Sequence, residues 1–268
     1  MRALKKTLLA LMTSTALLLT ACNNSLLETE SKEEAEEAAS MQETEGEQEE
    51  TAPEEEYALT AEMLNVIETE DGVNFIQNPE NIQVLVNKDY SLPIGYRPGD
   101  LVVPEVKFSF DEKHEKKLMR KEAGEALAEM FDAASEEGVE IVAVSGFRSY
   151  ERQEQLYTAE VAASGAEHAQ QAVAEPGKSE HQTGLTMDVS SAENSFNLNQ
   201  DFGKTAAGKW LAENSSEYGF IIRYPEGKES ITGYMYEPWH VRYVGIDVAK
   251  DIHSLGLSFE EYVQLVEE

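Results

Sequence analysis

The sequence contains a single cysteine, Cys22, among its 268 residues. One thiol cannot form an intramolecular disulfide, so the folded part of the chain must be stabilised by its core alone. Long apolar runs are also lacking near the start of the chain. The run at residues 8–19 is too short to be a comfortable membrane span, because a spanning helix needs about 20 apolar residues.

Basic residues are scarce: Lys and Arg number 21 against 52 Asp and Glu, which gives a formal net charge of −31. No basic stripe is present, and this argues against nucleic acid as a partner. Residues 26–56 hold fourteen Glu and one Lys. This stretch has almost no aromatic or β-branched residues and cannot bury enough surface to fold, so we predict an acidic, disordered tether over residues 22–56.

The start of the chain has the pattern of an exported protein. The basic residues Arg2, Lys5 and Lys6 precede the apolar run, and the small residue Ala21 precedes Cys22. This order predicts a signal peptide over residues 1–21. The cysteine position resembles a bacterial lipobox, which predicts a lipid anchor on Cys22 that holds the protein at the extracellular face of the cytoplasmic membrane. An ordinary secretory signal with an unrelated cysteine is the alternative.

Residues 57–268, about 210 residues, suit one domain with its own core. Helical spacing of apolar residues predicts helices, and short β-rich runs predict strands. The predicted helices cover 59–67, 118–137, 150–163 and 206–218, and the predicted strands cover 82–86, 139–144, 185–189, 220–224 and 234–243. A capping box from Ser258 to Glu261 opens a last helix. Helices followed by strands on short connections favour an α+β domain with a small, mostly antiparallel sheet and flanking helices.

Two short stretches carry the residue types of a metal site. His181, Asp188 and His240 supply two imidazoles and a carboxylate, which could hold one divalent metal and leave a fourth position open. Three protein ligands with an open position are typical of a catalytic zinc site. Glu237 is a further carboxylate that could take a proton from the attacking water. Mixed nitrogen and oxygen ligands suit zinc, although such sites also accept other first-row metals.

The spacing of these residues restricts how they can meet. His181 and Asp188 are seven residues apart, which does not fit one face of a helix. Glu237 and His240 are three residues apart and would face opposite sides of an extended strand, so we predict a kink at Pro238. Two His, an Asp and a Glu can also occur together by chance in a domain this acidic, and the residues alone leave the metal site open.

The stretch at residues 145–240 resembles the VanY-type zinc D-alanyl-D-alanine carboxypeptidases and the related L,D-carboxypeptidases of the same peptidase family. Three blocks match in order, at residues 145–150, 176–189 and 237–240. The resemblance covers nearly all of the folded part of the chain. It implies the small α+β zinc fold that this family shares with hedgehog signalling domains.

The resemblance also implies the roles of the metal-site residues. His181, Asp188 and His240 would be the zinc ligands, and Glu237 would be the general base. Thr186 replaces a small Ala that is common in the family. Its hydroxyl could alter the lining of the pocket, so it bears on specificity.

Three further residues would bind the substrate by the same resemblance. Arg148 would hold the terminal carboxylate of the peptide, and Gln153 and Ser179 would add polar contacts. The planar guanidinium of Arg suits bidentate recognition of a carboxylate. The alternatives are a surface salt bridge for Arg148, a solvated helix position for Gln153 and a turn cap for Ser179. Phe147 stands where Tyr is common in the family.

These expectations describe a lipid-anchored, monomeric zinc carboxypeptidase that removes the terminal D-alanine from peptidoglycan stem peptides. One alternative is an L,D-carboxypeptidase that acts on tetrapeptide stems. A second is an endopeptidase, which would not need Arg148 for a free carboxylate. A third is a non-catalytic wall-binding lipoprotein, and Glu237 argues against it because a binding module has no use for a base beside an open metal position.

Overall fold

The computed structural model describes residues 57–267. The predicted signal peptide, the acidic tether and the lipid site at Cys22 lie outside the described residues and stay predictions. Among residues 57–267, no helix is both long and apolar enough to cross a membrane.

The described residues form nine strands and seven α-helices, joined by turns and short 3-10 helices. In chain order they are β1 (Ile67–Glu70), β2 (Val73–Ile76), β3 (Tyr90–Ser91), β4 (Leu101–Val102), β5 (Met119–Arg120), α1 (Lys121–Glu136), β6 (Val142–Ser145), α2 (Tyr150–Ser164), α3 (Ala166–Ala172), β7 (Thr186–Ser190), α4 (Ala206–Asn214), β8 (Phe220–Ile222), α5 (Glu229–Thr232), β9 (His240–Tyr243), α6 (Ile246–Leu255) and α7 (Phe259–Glu267). The presence of both helices and small, mostly antiparallel sheets confirms the predicted α+β class.

The central sheet has four strands in the order β6-β7-β9-β8, and every neighbouring pair is antiparallel. Two smaller sheets, β1-β2-β3 and β4-β5, come from the segment before α1. In the central sheet Asp188 of β7 lies opposite His240 of β9 and opposite Ser145 of β6. Residues that are directly opposite in an antiparallel pair have Cα atoms about 5 Å apart. The register of the sheet therefore places two of the predicted ligands side by side.

The core lies between the central sheet and α1. The buried face of α1 includes Leu127 and Met130, and it packs with Met187, Val189 and Val241 of the sheet. A second buried cluster joins α6 and α7 to the central sheet; it contains Leu85, Ile221, Val248, Ile252, Phe259 and Tyr262. The sheet is thus covered by helices from both the middle and the end of the chain.

The predicted helices over 118–137 and 150–163 are confirmed as α1 and α2. The predicted helix over 206–218 is α4 followed by the 3-10 helix Ser215–Tyr218. Ser149 caps α2, since its hydroxyl accepts a hydrogen bond from the backbone N–H of Arg152 at 3.3 Å. The capping box is also confirmed: Ser258 N donates to Glu261 Oε2 at 2.7 Å, and Glu261 N donates to Ser258 Oγ at 3.3 Å.

Two predictions for the segment before α1 are wrong. Residues 59–67 contain the short 3-10 helix Ala61–Met63 and the first residue of β1, and no α-helix. The backbone after Met63 bonds to a side chain instead of continuing the helix: Asn78 Nδ2 donates to the carbonyl of Leu64 at 2.9 Å, and Val66 N donates to Asn78 Oδ1 at 2.8 Å. Residues 82–86 form no strand. The Asn65 side chain bonds both backbone groups of Leu85, at 2.7 and 3.1 Å, so this stretch is held by side chains instead of a neighbouring strand.

The predicted strand over 234–243 is only half correct. Strand β9 begins at His240, and residues 238–239 form a turn in which His240 N donates to the carbonyl of Glu237 at 3.1 Å. The kink that was predicted at Pro238 is therefore present, and the strand begins only after it.

Candidate functional site

The three predicted ligands come together at one end of the central sheet. His181 lies in the 3-10 helix Glu180–Thr183 directly before β7, Asp188 lies in β7, and His240 opens β9. One nitrogen or carboxylate oxygen from each residue lies within 4.8 Å of the other two. All three side chains are buried. The 3-10 helix before β7 and the pairing of β7 with β9 thus bring the three side chains together.

The donor set fits a cation. Asp188 Oδ2 lies 3.4 Å from His181 Nε2, and Asp188 Oδ1 lies 3.2 Å from His240 Nδ1. Within residues 57–267, Asp188 Oδ1 is buried and finds no partner with hydrogen-bond geometry. Buried polar atoms are normally bonded, and an orphaned carboxylate oxygen between two imidazoles calls for a further ligand. Two nitrogens and one oxygen match the protein ligands of a catalytic zinc site.

A backbone hydrogen bond fixes the ring of His181 and leaves its Nε2 available to a metal. Its Nδ1 lies 2.8 Å from the carbonyl oxygen of Gly146. A carbonyl can only accept, so Nδ1 carries the proton and Nε2 presents its lone pair to Asp188 and the site. Burial lowers the pKa of His181 to about 3, so the ring is neutral, as a metal ligand must be.

His240 has a different electrostatic environment. Its Nδ1 faces Asp188 Oδ1 and lies 3.6 Å from Glu237 Oε2, while its Nε2 lies 3.4 Å from Glu180 Oε2. Burial alone would lower the pKa of His240, but the carboxylates of Asp188 and Glu180 raise it to about 9. A metal that binds at Nδ1 must therefore displace a proton.

Glu237 lies beside the ligand cluster, on the turn before β9. Burial raises the pKa of Glu237 to about 7. It is not one of the three residues whose donor atoms converge. A carboxylate with a pKa near neutrality is suited to accept and return a proton.

Arg148 lies just beyond the end of β6, next to the ligand cluster. Its backbone N–H donates to the carbonyl of His181 at 3.1 Å, and its Nη1 donates to Gln153 Oε1 at 2.8 Å. Gln153 is fully buried, and its Nε2 donates to the carbonyl of Ala174 at 2.6 Å. The alternative of a solvated helix position for Gln153 is therefore wrong. Gln153 holds Arg148, and a direct contact of Gln153 with substrate stays a prediction.

The site opens into a cavity of about 560 Å³. Its lining includes Arg148, Ser179, Glu237 and the three candidate ligands, together with Tyr224 and Tyr234. Ser179 is buried and its side chain makes no capping hydrogen bond, so the turn-cap alternative is not supported. A guanidinium, a proton acceptor and a cation site thus share one cavity. This arrangement can bind an anionic group and activate water beside a cation.

A buried ion network behind His240 was missed by the sequence analysis. Glu180 Oε1 accepts from Arg223 Nε and from Arg242 Nη1, both at 2.7 Å. Burial alone would raise the pKa of Glu180, but the two guanidinium groups hold it well below its usual range. The one available signal was the presence of Arg223 and Arg242 in runs that were predicted to be strands, since a charge inside a sheet must be paired if it is buried.

Comparisons with known proteins give matches to one family of enzymes. A family model described as VanY, D-alanyl-D-alanine carboxypeptidase, matches residues 116–246. YodJ of Bacillus subtilis (strain 168), a protein named as a carboxypeptidase, is 49% identical over 261 residues, which cover 97% of this chain and 96% of YodJ.

Two solved structures share the fold. The LD-carboxypeptidase LdcB matches with a TM-score of 0.76 and 56% identity, over 78% of this chain and 98% of the LdcB chain. A variant of the vancomycin-resistance D,D-pentapeptidase VanY, solved in complex with Zn(II), matches with a TM-score of 0.53 and 32% identity, over 68% of this chain and 98% of that chain. The matches include relatives of both specificities, and one of them binds zinc. On the extent of the match to YodJ and on the family model, the chain belongs to the VanY family of carboxypeptidases.

Proposed function

We propose that the protein is a zinc-dependent carboxypeptidase that removes the C-terminal D-alanine from peptidoglycan stem peptides. The observation that carries this proposal is the convergence of His181, Asp188 and His240 in one cavity with Glu237 and Arg148. We further propose that it works outside the cell, anchored by lipid at Cys22. The cell-wall substrate requires an extracellular location, which agrees with the predicted signal peptide.

Five residues of the cavity have distinct tasks in this reaction. Arg148 binds the terminal carboxylate of the peptide and so sets which bond is cleaved. Glu237 accepts a proton from the water that attacks the scissile carbonyl, and returns it to the nitrogen of the leaving D-alanine. When bound to His181, Asp188 and His240, zinc supplies a Lewis acid that favours ionisation of water at neutral pH. The C–O bond that forms and the C–N bond that breaks complete the hydrolysis.

The choice between D,D- and L,D-activity depends on the residue before the scissile bond. The family model and the resemblance noted from the sequence favour D,D-activity. The greater similarity to LdcB, a named LD-carboxypeptidase, than to VanY favours L,D-activity. We therefore propose L,D-activity on tetrapeptide stems as a second candidate.

The purified full-length protein with zinc should release D-alanine from stem peptides. Release from a pentapeptide stem identifies D,D-activity, and release from a tetrapeptide stem identifies L,D-activity. Free D-alanine can be measured by chromatography against a heat-inactivated sample. If neither stem yields D-alanine while zinc is bound, the proposed function is wrong.

Glu237→Gln should lower kcat by about 100- to 10,000-fold, the usual contribution of a general base. Zinc content should be unchanged, because the carboxylate is placed outside the ligand set. Glu125→Gln, which removes an exposed carboxylate of α1 that pairs with Lys121, is the control and should retain full activity. Loss of zinc from Glu237→Gln would show that Glu237 is a ligand, contrary to its proposed role as the general base.

Arg148→Ala should lower kcat/KM by about 10- to 100-fold, because a hydrogen-bonded ion pair with the terminal carboxylate is lost. Arg148→Lys keeps the charge without the bidentate fork and should retain part of the activity. Arg97→Ala is a matched control. The guanidinium carbon of Arg97 lies 4.4 Å from the ring centre of Phe147, the residue before Arg148, but Arg97 is not among the cavity residues. An Arg148→Ala variant with wild-type kinetics would favour the endopeptidase alternative.

Zinc affinity should rise with pH. The pKa of His240 is about 9, so below this pH zinc must displace one proton, whereas the pKa of His181 is about 3 and its ring contributes none. Apparent affinity should therefore increase by about tenfold per pH unit from about pH 6 to pH 8, and activity should fall in acid. Competition with a chelator of known pH dependence measures this slope. An affinity that is independent of pH would contradict ligation by His240.

A further inference from the structure

The carboxylate of Glu180 has two distinct contacts, one for each oxygen. Its Oε1 accepts from Arg223 and from Arg242, both at 2.7 Å. Its Oε2 lies 3.4 Å from Nε2 of His240. Glu180 is buried, and both arginines are fully buried. The side chain thus links a pair of buried cations to the ring of a candidate metal ligand.

The orientation of the His240 ring decides what this link does. Nδ1 faces Asp188 and Glu237, while Nε2 faces Glu180. An ionised carboxylate can only accept hydrogen bonds, so a bond to Glu180 places the proton on Nε2 and leaves the lone pair of Nδ1 for a metal. In metal sites, such an acceptor fixes both the tautomer and the ring orientation of a ligating His.

We propose that Glu180 is a positioning residue, which holds His240 so that Nδ1 is presented to zinc, and that Arg223, Arg242 and Glu260 keep Glu180 in place. This inference rests on the zinc site of the proposed function, but not on the identity of the peptide. The positioning role requires no contact of Glu180 with the peptide or with the attacking water.

Other groups in turn hold the two arginines in place. Arg223 Nη1 and Nη2 donate to the two oxygens of Glu260, at 2.8 and 2.6 Å. Arg242 Nη2 donates to the carbonyls of Ile82 and Val84, at 2.9 and 2.7 Å. Two carboxylates balance two guanidinium groups, so the network is neutral. Loss of one member would leave an uncompensated buried charge, which is strongly unfavourable.

The outer supports come from parts of the chain that the family model does not cover. That model matches residues 116–246. Ile82 and Val84 precede this range, and Glu260 in α7 follows it. The segment at residues 82–84 and the last helix therefore complete the support of the metal site. This predicts that a residue in α7 affects zinc binding although it touches no ligand.

Glu260 and its neighbour Glu261 offer a matched pair of variants. Glu260 binds Arg223 in the network, whereas Glu261 binds Lys228 at 2.9 Å and closes the capping box with Ser258. Both carboxylates anchor the start of α7 through a cation. If Glu260 had a purely structural role, Glu260→Gln and Glu261→Gln would behave in the same way. Both variants would lower thermal stability, and both would leave zinc affinity unchanged.

The test measures zinc affinity of the full-length protein by chelator competition at fixed pH. We expect Glu180→Gln to weaken zinc binding by about 10- to 100-fold, and Glu260→Gln by about tenfold, since loss of an outer-shell partner has effects of this size. Glu261→Gln should bind zinc as the wild type does. Equal affinities for wild type, Glu180→Gln and Glu260→Gln would overturn the inference.

A second measurement needs no variant and covers the case in which Glu180→Gln fails to fold. In zinc-loaded protein with 15N-labelled histidine, NMR should show that His240 is protonated on Nε2 and ligates zinc through Nδ1. Zinc on Nε2 of His240 would also overturn the inference. Both readouts are independent of peptide cleavage. Positive results without D-alanine release would reject the proposed function alone, and absence of zinc binding by the wild type would reject both.

Discussion

The pairing of β7 with β9 is the constraint on which the site depends. It places Asp188 directly opposite His240, and His181 reaches the same point through the 3-10 helix that leads into β7. Side chains alternate along a strand, so a slip of one residue would turn Asp188 to the other face of the sheet. Met187 and Val189, which lie in the core on that other face, oppose such a slip. The same apolar packing that stabilises the sheet thus fixes the geometry of the candidate ligands.

This geometry requires charge to be buried at the end of a sheet, in a chain that is strongly acidic overall. The charges behind His240 have specific partners: Glu180 binds Arg223 and Arg242, and Arg242 also binds backbone carbonyls. Burial of an ion pair gives little net stability, because desolvation offsets the attraction. What the network provides is a fixed position for the Glu180 carboxylate. The groups that hold the two arginines, Glu260 and the carbonyls of Ile82 and Val84, come from segments on either side of residues 116–246.

The sequence and its family resemblance were enough to propose the candidate ligands, but not what surrounds them. His181, Asp188 and His240 could be proposed because imidazole and carboxylate are the side chains that bind zinc, and the turn at Pro238 followed from the restricted φ of proline. Glu180 could not be connected with Arg223 and Arg242, because its partners lie 43 and 62 residues away along the chain. Residues 82–86 have the composition of a strand, yet their carbonyls bind a guanidinium from β9. Local patterns cannot report partners that only the tertiary fold brings near.

The order of the strands also sets the order in which the lining residues follow one another across the cavity. Arg148 follows β6 at one side of the sheet, and Tyr224 follows β8 at the other side. Between them lie Asp188 on β7 and His240 on β9, with His181 in the 3-10 helix before β7. The ring of Tyr224 lies 4.9 Å from that of His240 and 4.7 Å from that of Tyr234. If Arg148 holds the terminal carboxylate and the scissile bond lies over the candidate metal site, the strand order would direct the rest of the peptide toward these two tyrosines. The residue before the scissile bond would then contact the tyrosines. Under the proposed function, discrimination between an L- and a D-residue at that position would depend on the space beside Tyr224 and Tyr234.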